Sequence, residues 1–456
     1  MVIVGGGLAG SCFARLLLML CHKENRRINI YLVNSTGCNY CGGLVTNIAQ
    51  EAMERLYKLN ITDNLVLEKI NSFVYVNREG HVKIELPTPI TATLRTSRFG
   101  VTGFDDSIKH RILEGMEDYT KTSTFTRIEP TIVKNIIPPD GKSKKWRVVL
   151  SRRRPNGSPD ELSADLVVLA AGFNSLDKPM INRYMQSTGF KPPPVLRACV
   201  TEIDTSTARY NRVGQHVYMI DGIVPGSILA FIPKGKNWLT LTSLNKVLSF
   251  EDLETLFNHP VVKEIIDLPN PAECLRCHVI CPSFVFTGPS RHFYGDGWVA
   301  VGDLAGYGRV LKDGYFAAFV GAWYAVHTVF YHGTSRAHFE RHYHGPLRRF
   351  NRENLLGIKL FNFNMFIGRQ KWFNRLLLAA AKEERQKNPY GWAIHAAFRS
   401  LQTGLLPYLL ICLLFVVGVF RYVLRHPFQA WRIFFAETGK TAAKAKKSLS
   451  AARKII

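Results

Sequence analysis

Three groups of residues in this sequence have the types and spacing to do chemistry. The first is glycine. Gly5-Gly6-Gly7-Leu8-Ala9-Gly10 reads Gly-x-Gly-x-x-Gly, with the apolar Val2–Val4 before it and an apolar run from Ala14 to Leu20 after it. Where a strand turns into a helix against a dinucleotide, each glycine has a task. Gly5 makes the tight turn, Gly7 lets the backbone approach a pyrophosphate, and Gly10 lets helix and strand pack closely. The helix N-terminus then offers unpaired N–H groups and a positive dipole end to the phosphates. The second group is an acid at a strand end. Trp298-Val299-Ala300-Val301-Gly302-Asp303 is an apolar strand closing on Gly-Asp, and ligands of open α/β sheets are held outside strand C-termini.

The third group is cysteine. Cys38 and Cys41, in C-x2-C spacing, stand between Gly37 and Gly42-Gly43. Such thiols do redox chemistry or bind metal; alternatively the glycines let backbone approach a planar ligand and the thiols line its pocket. Cys274, Cys277 and Cys281, followed by Pro282, have the C-x2-C-x3-C-P spacing of part of an iron–sulfur ligand run. A fourth thiolate would have to come from Cys38, Cys41 or Cys199, and His278 would suit zinc. Small, soft side chains packed beside a ligand explain the same pattern, and no metal is assigned.

The elements that must position these groups follow from periodicity and turn residues. Ile28–Val33 is a second strand that closes a βαβ unit. It ends at Asn34, where such units usually place an acid for ribose hydroxyls; an amide still donates and accepts hydrogen bonds. A helix is predicted over 46–58, strands over 73–76 and 82–86, and a helix over 104–116. Trp146–Leu150 and the run from Ala164 to Gly172 read as further strands, the second continuously apolar as in a buried parallel strand. Pro192-Pro193-Pro194 marks a change of segment. Beyond it come strands at 217–220 and 227–233 and a helix over 253–266, a mostly antiparallel insertion suited to walling a substrate pocket. The chain then returns to the strand at 298 and a small-residue helix from Gly314. The fold class is α/β: a Rossmann-like domain from 1–70, 92–185 and 275–345, a β-rich substrate domain from 71–91 and 186–274, and a helical region over 346–456.

The formal net charge is +24 on 456 residues. No zinc finger, RNA-binding signature or basic-aromatic repeat supports nucleic acid, so the charge points to an anionic membrane surface. Nine cysteines, an odd number, and a strand beginning at the first residue predict reduced thiols in the cytosol rather than a secreted disulfide framework. From Pro346 basic and aromatic residues interleave, as in a helix lying in a membrane interface. Residues 405–420 are sixteen in a row without a charge, just long enough to span with Arg421 snorkelling. The tail after them has nine basic residues and one acid, Glu437, which keeps it cytosolic. The expected location is the cytoplasmic face of a membrane, on an in-plane or single C-terminal hydrophobic anchor.

Taken together, Val4 to Gly10, Cys41-Gly42-Gly43 before a helix, Ala164 to Ser175 and Val301-Gly302-Asp303 resemble the FAD-dependent geranylgeranyl reductase family. That family lies within the flavoproteins folded like p-hydroxybenzoate hydroxylase, and the resemblance covers about residues 1–330. It implies FAD held by Gly5, Gly7, Gly10, Asn34, Gly42, Gly43, Gly172, Gly302 and Asp303, with Arg95 or Arg98 reaching the cofactor. It implies that Asp303 meets the ribityl or pyrophosphate region and that the helix at Gly314 aims its N-terminus at the flavin pyrimidine edge. Cys41 beside the flavin and Lys312 in the preceding loop are the catalytic candidates. Some stretches depart from the pattern. Ala171-Gly172 stands where hydroxylases carry Asp-Gly, Leu229 to Pro233 lacks the tryptophans of halogenases, and Arg309 to Gly314 is not the commoner Leu-Thr-Gly-x-Gly. The expected activity is reduction of carbon–carbon double bonds in a prenyl or other lipid, with NAD(P)H or a ferredoxin-like protein as donor. The alternatives are a lipid monooxygenase or dehydrogenase, and an electron-transfer subunit working with a redox partner protein.

Overall fold

Five strands lie parallel in one sheet: β1 (Val2–Val4), β2 (Asn29–Val33), β3 (Thr124–Ile128), β4 (Val167–Leu169) and β5 (Trp298–Ala300). Their spatial order is β5-β4-β1-β2-β3, and a short antiparallel strand, Tyr294–Gly295, covers the β5 edge. The computed structural model describes residues 1–35, 42–61, 65–93, 108–140, 143–151, 160–276, 280–309 and 314–435. They belong to two compact units: residues 1–69, 90–201 and 279–355 form the first, and 70–89, 202–278 and 356–456 the second.

In the first unit β1 and β4 are fully apolar and buried, the composition of parallel strands covered on both faces. Helix α1 (Leu8–Lys23) and the small-residue helix α2 (Gly314–His327) pack against each other. The Tyr57 hydroxyl, at the end of helix Asn47–Tyr57, donates to the Phe319 carbonyl of α2 at 2.6 Å. Arg15 is buried in α1, yet its guanidinium donates to the carbonyls of Tyr57, Ile112 and Glu114 at 3.4, 3.1 and 2.7 Å. A buried charge is tolerated only when so satisfied. The helix predicted over 104–116 is observed as Ile108–Leu113, with Gly115 in the left-handed region (φ 69°) ending it; residues 101–107 lie outside the described residues.

In the second unit His216–Asp221 pairs in parallel with residues 72–76 and antiparallel with Ile228–Pro233, which pairs with Trp238–Leu244. The single helix expected over 253–266 is two, Phe250–Phe257 and Pro260–Lys263. Pro260 has no N–H to continue the first helix, so the chain restarts there. Helices α3 (Lys371–Lys387), α4 (Ile394–Thr403) and α5 (Tyr408–Arg425) complete the unit. Tyr75 stacks at 4.7 Å on Phe398 of α4, and Glu79 pairs with Arg375 of α3 at 2.7 Å. The Glu384 carboxylate accepts the N–H groups of Trp392, Ile394 and His395 at 3.4, 3.1 and 3.2 Å, capping the N-terminus of α4. Asp221 is buried and accepts from the Asn364 amide at 2.9 Å. Burial pushes its carboxyl up to about 6. Among the described residues α5 is the one helix long and apolar enough to cross a membrane.

Candidate functional site

The five parallel strands end level. Val4 is in register with Val33 and Leu169, Leu169 with Ala300, and Val33 with Ile128. The residues that follow, Gly5, Asn34, Glu129, Ala170 and Val301, therefore form one row along the C-terminal edge of the sheet. Gly172 and Gly302-Asp303 lie just past it.

Gly5 has φ 107°, and a Cβ there would lie 2.4 Å from the Ala170 carbonyl oxygen. A Cβ on Gly10 would lie 2.0 Å from the Gly5 carbonyl oxygen. Both positions are closed to any side chain by backbone. Gly7 differs: nothing of the chain lies within 4 Å of its would-be Cβ, so its missing side chain leaves open space. Gly7 is also the N-cap of α1, without a side-chain cap and without an acid in the first turn. The helix start thus keeps its free donors and its positive dipole end for an anion.

On the other side, Gly302 (φ 66°) would place a Cβ 2.6 Å from the Ala9 Cβ, which is how close α1 sits to this turn. Gly172 (φ 67°) faces Asp303, whose Oδ2 lies 3.9 Å from its would-be Cβ. The Asp303 side chain is open to solvent, while the protein packed around it pushes its carboxyl up to about 6. The loop beyond is pinned by residues no motif announces: the Asn354 amide donates to the Gly308 carbonyl at 2.9 Å, and the Ser290 N–H to the Ala305 carbonyl at 3.1 Å.

Asn34 is committed on both sides. Its Oδ1 accepts the Gly6 N–H at 3.0 Å, and its Nδ2 donates to the Glu129 carboxylate. Glu129 follows β3 and also meets Arg127 at 2.7 Å and Lys109 at 3.8 Å. Burial pulls the Lys109 ammonium down to about 8, with Glu129 opposing the shift. The acid missing at position 34 is thus present in space, contributed by another strand. Nothing in the sequence spacing announced it.

Gly43 (φ 71°) leads into strand Leu44–Val45, and the Thr46 hydroxyl caps helix Asn47–Tyr57 by accepting the Ala49 N–H at 3.3 Å. Gly314 begins α2 in the open. Cys41, Arg95, Arg98, Lys312 and Cys277 lie outside the described residues. Cys274 is buried in the one-turn helix Pro271–Cys274, and Cys281 starts strand Cys281–Phe286. They sit on different elements, and among the described residues no group of three or more His, Cys, Asp or Glu side chains is arranged to hold a metal ion.

Comparison with solved structures defines the fold. A geranylgeranyl bacteriochlorophyll reductase-like protein from Thermoplasma acidophilum matches with a TM-score of 0.60 at 12% identity, over 92% of this chain and 94% of that one. A flavoprotein/dehydrogenase from Cytophaga hutchinsonii matches at 0.54 and 12%, over 88% and 94%. A flavin-dependent brominase matches at 0.55 and 14%, over 88% and 97%. The chain has the α/β fold of these flavoproteins and includes a C-terminal helical region. No family model and no curated relative matches the sequence.

Proposed function

We propose that the chain is a membrane-associated FAD-dependent oxidoreductase that reduces carbon–carbon double bonds of a prenyl or other lipid. The observation that carries the flavin half is the single row of strand ends. It joins an uncapped helix start and an open Gly7 to a solvent-facing acid, Asp303, at the other end. These features fit FAD. The pyrophosphate suits the N–H groups at the start of α1, the adenosine ribose suits Asn34 with Glu129, and Asp303 suits the ribityl hydroxyls. When bound and reduced, flavin supplies a hydride. The chain's own part is to hold the cofactor by these groups and to set the neutral, apolar α2 beside the site.

The lipid half rests on the apolar surface of α5 and on the likeness to a reductase-like protein. The donor is NAD(P)H or a ferredoxin-like protein. The test is anaerobic purification in detergent, an absorption spectrum with iron and zinc analysis, and turnover with a geranylgeranyl lipid. Bound FAD with a saturated product supports the reading. Oxygen consumption coupled to NAD(P)H and an oxygenated lipid would replace it with a monooxygenase. Stoichiometric iron without lipid turnover would replace it with an electron-transfer subunit.

A further inference from the structure

We propose that α5 (Tyr408–Arg425) lies flat in one leaflet of an anionic bilayer and does not cross it. This rests on the membrane association proposed above and fixes its geometry. The helix has two distinct faces. Tyr408, Ile411, Phe415, Gly418 and Tyr422 recur at alternating steps of three and four, and all are buried except the half-buried Phe415. This stripe is a packing seam. Phe415 meets Phe398 of α4 edge-on at 5.0 Å. A Cβ on Gly418 would lie 2.4 Å from the Ile394 Cγ1, so backbone and α4 touch. Arg421 lies 4.4 Å over the Trp392 ring, and at the far end Arg425 and His426 reach Glu383 of α3 at 3.5 and 3.3 Å. The helix is fastened to α3 and α4 along its whole length.

The opposite face is large, apolar and uncovered: Val416, Phe420 and Leu424 are 65%, 61% and 65% exposed, with Leu409 and Leu413 in line before them. Residues 427–435 are again helical and extend the apolar surface through Phe428, Trp431 and Phe434.

Length alone does not separate a crossing from an in-plane helix, since eighteen residues reach about 27 Å against a hydrocarbon core of about 30 Å. The fastening does. A crossing α5 would draw α3 into hydrocarbon, and α3 carries Lys371, Arg375, Lys382, Glu383, Arg385 and Lys387. Each charge near mid-membrane is costly. In-plane insertion wets the fastened side and buries the free side. Arg425 and Arg432 flank the apolar surface at headgroup level, and the sequence beyond residue 435 holds six basic residues against Glu437. Phosphatidylserine headgroups complement that charge.

The full chain, carrying an epitope after Ile456, would be added to preformed sealed vesicles of phosphatidylcholine with about 30% phosphatidylserine. Flotation with the epitope wholly digested by external protease is the expected result. Flotation with the epitope protected until detergent is added would overturn the in-plane geometry and leave membrane association standing. Failure to float would remove both, and a detergent-sensitive dimer that does not float would assign the face to a second copy. The triple variant Leu409→Glu/Val416→Glu/Phe420→Glu leaves the fastened seam intact. It should keep its melting temperature and lose at least about a hundredfold in vesicle partitioning; unchanged partitioning would refute the assignment of this face.

Discussion

Glu129 offers the sharpest test of the site, because its proposed role depends on a contact made across 95 residues of sequence. The perturbation is Glu129→Gln, which keeps size and one acceptor for the Asn34 amide but removes the charge. A hydrogen bond to a charged group contributes roughly 1.5–3 kcal/mol, which is about 10- to 150-fold in Kd. Loss of the carboxylate also leaves Arg127 at 2.7 Å and Lys109 at 3.8 Å without their shared anion. Both contact Glu129 directly, so part of the effect is general. A ligand change isolates the specific part. FAD and an analogue lacking the adenosine 2′-hydroxyl are titrated into flavin-free protein and followed by fluorescence quenching. Wild type should prefer FAD by about tenfold or more, and Glu129→Gln should show almost no preference. Asn34→Asp alone sets two carboxylates against each other and should bind more weakly. Combined with Glu129→Gln it moves the single acid to the usual position and should recover most of the affinity. A Glu129→Gln protein that keeps the wild-type preference for the 2′-hydroxyl refutes the assignment, whatever its absolute affinity.

Three further outcomes are expected. Gly7→Ala should fold with a stability change under about 0.5 kcal/mol, since no atom meets its Cβ, and still lose FAD binding. Gly10→Ala, blocked by the Gly5 carbonyl at 2.0 Å, should lose about 1–3 kcal/mol of stability as well, and paired melting curves and titrations separate the two. Asp221 has its carboxyl raised from 3.8 to about 6 by burial, so the fold holds its neutral form better than its ionised one. Its contribution is most favourable below pH 4 and worsens as pH rises to about 6. Asp221→Asn should therefore gain up to about 3 kcal/mol over wild type between pH 4 and pH 8 in urea denaturation. Asp303→Ala should weaken FAD about tenfold in the same titration.

What the sequence made legible, and what it hid, divides along a physical line. Gly5, Gly10, Gly172 and Gly302 were readable because each is forced locally, by a turn or by a neighbouring backbone that leaves no room for Cβ. β1 and β4 were readable because a strand buried on both faces is apolar without a break. Glu129 was not, because lateral strand order in a parallel sheet leaves no periodic trace: nothing near Asn34 says that β3 lies beside β2. Asn354, which holds the loop after Asp303, was hidden for the same reason. The break at Pro260 is by contrast a local signal, since proline cannot continue the first helix.

Helix α5 is the intermediate case. Its apolar content was plain, but hydropathy is the same on a face that packs against protein and on one that meets lipid. The residues that differ are Gly418, which permits backbone contact, and Tyr408 and Tyr422, whose rings pack while their hydroxyls need partners. The Tyr422 hydroxyl finds the Gln429 side chain at 3.1 Å. Gly418 and the two tyrosines thus mark the seam within a helix that is otherwise almost uniformly apolar. An apolar helix that carries such a seam is a fastened helix, and a fastened helix goes only as deep into a membrane as the charges of its neighbours allow.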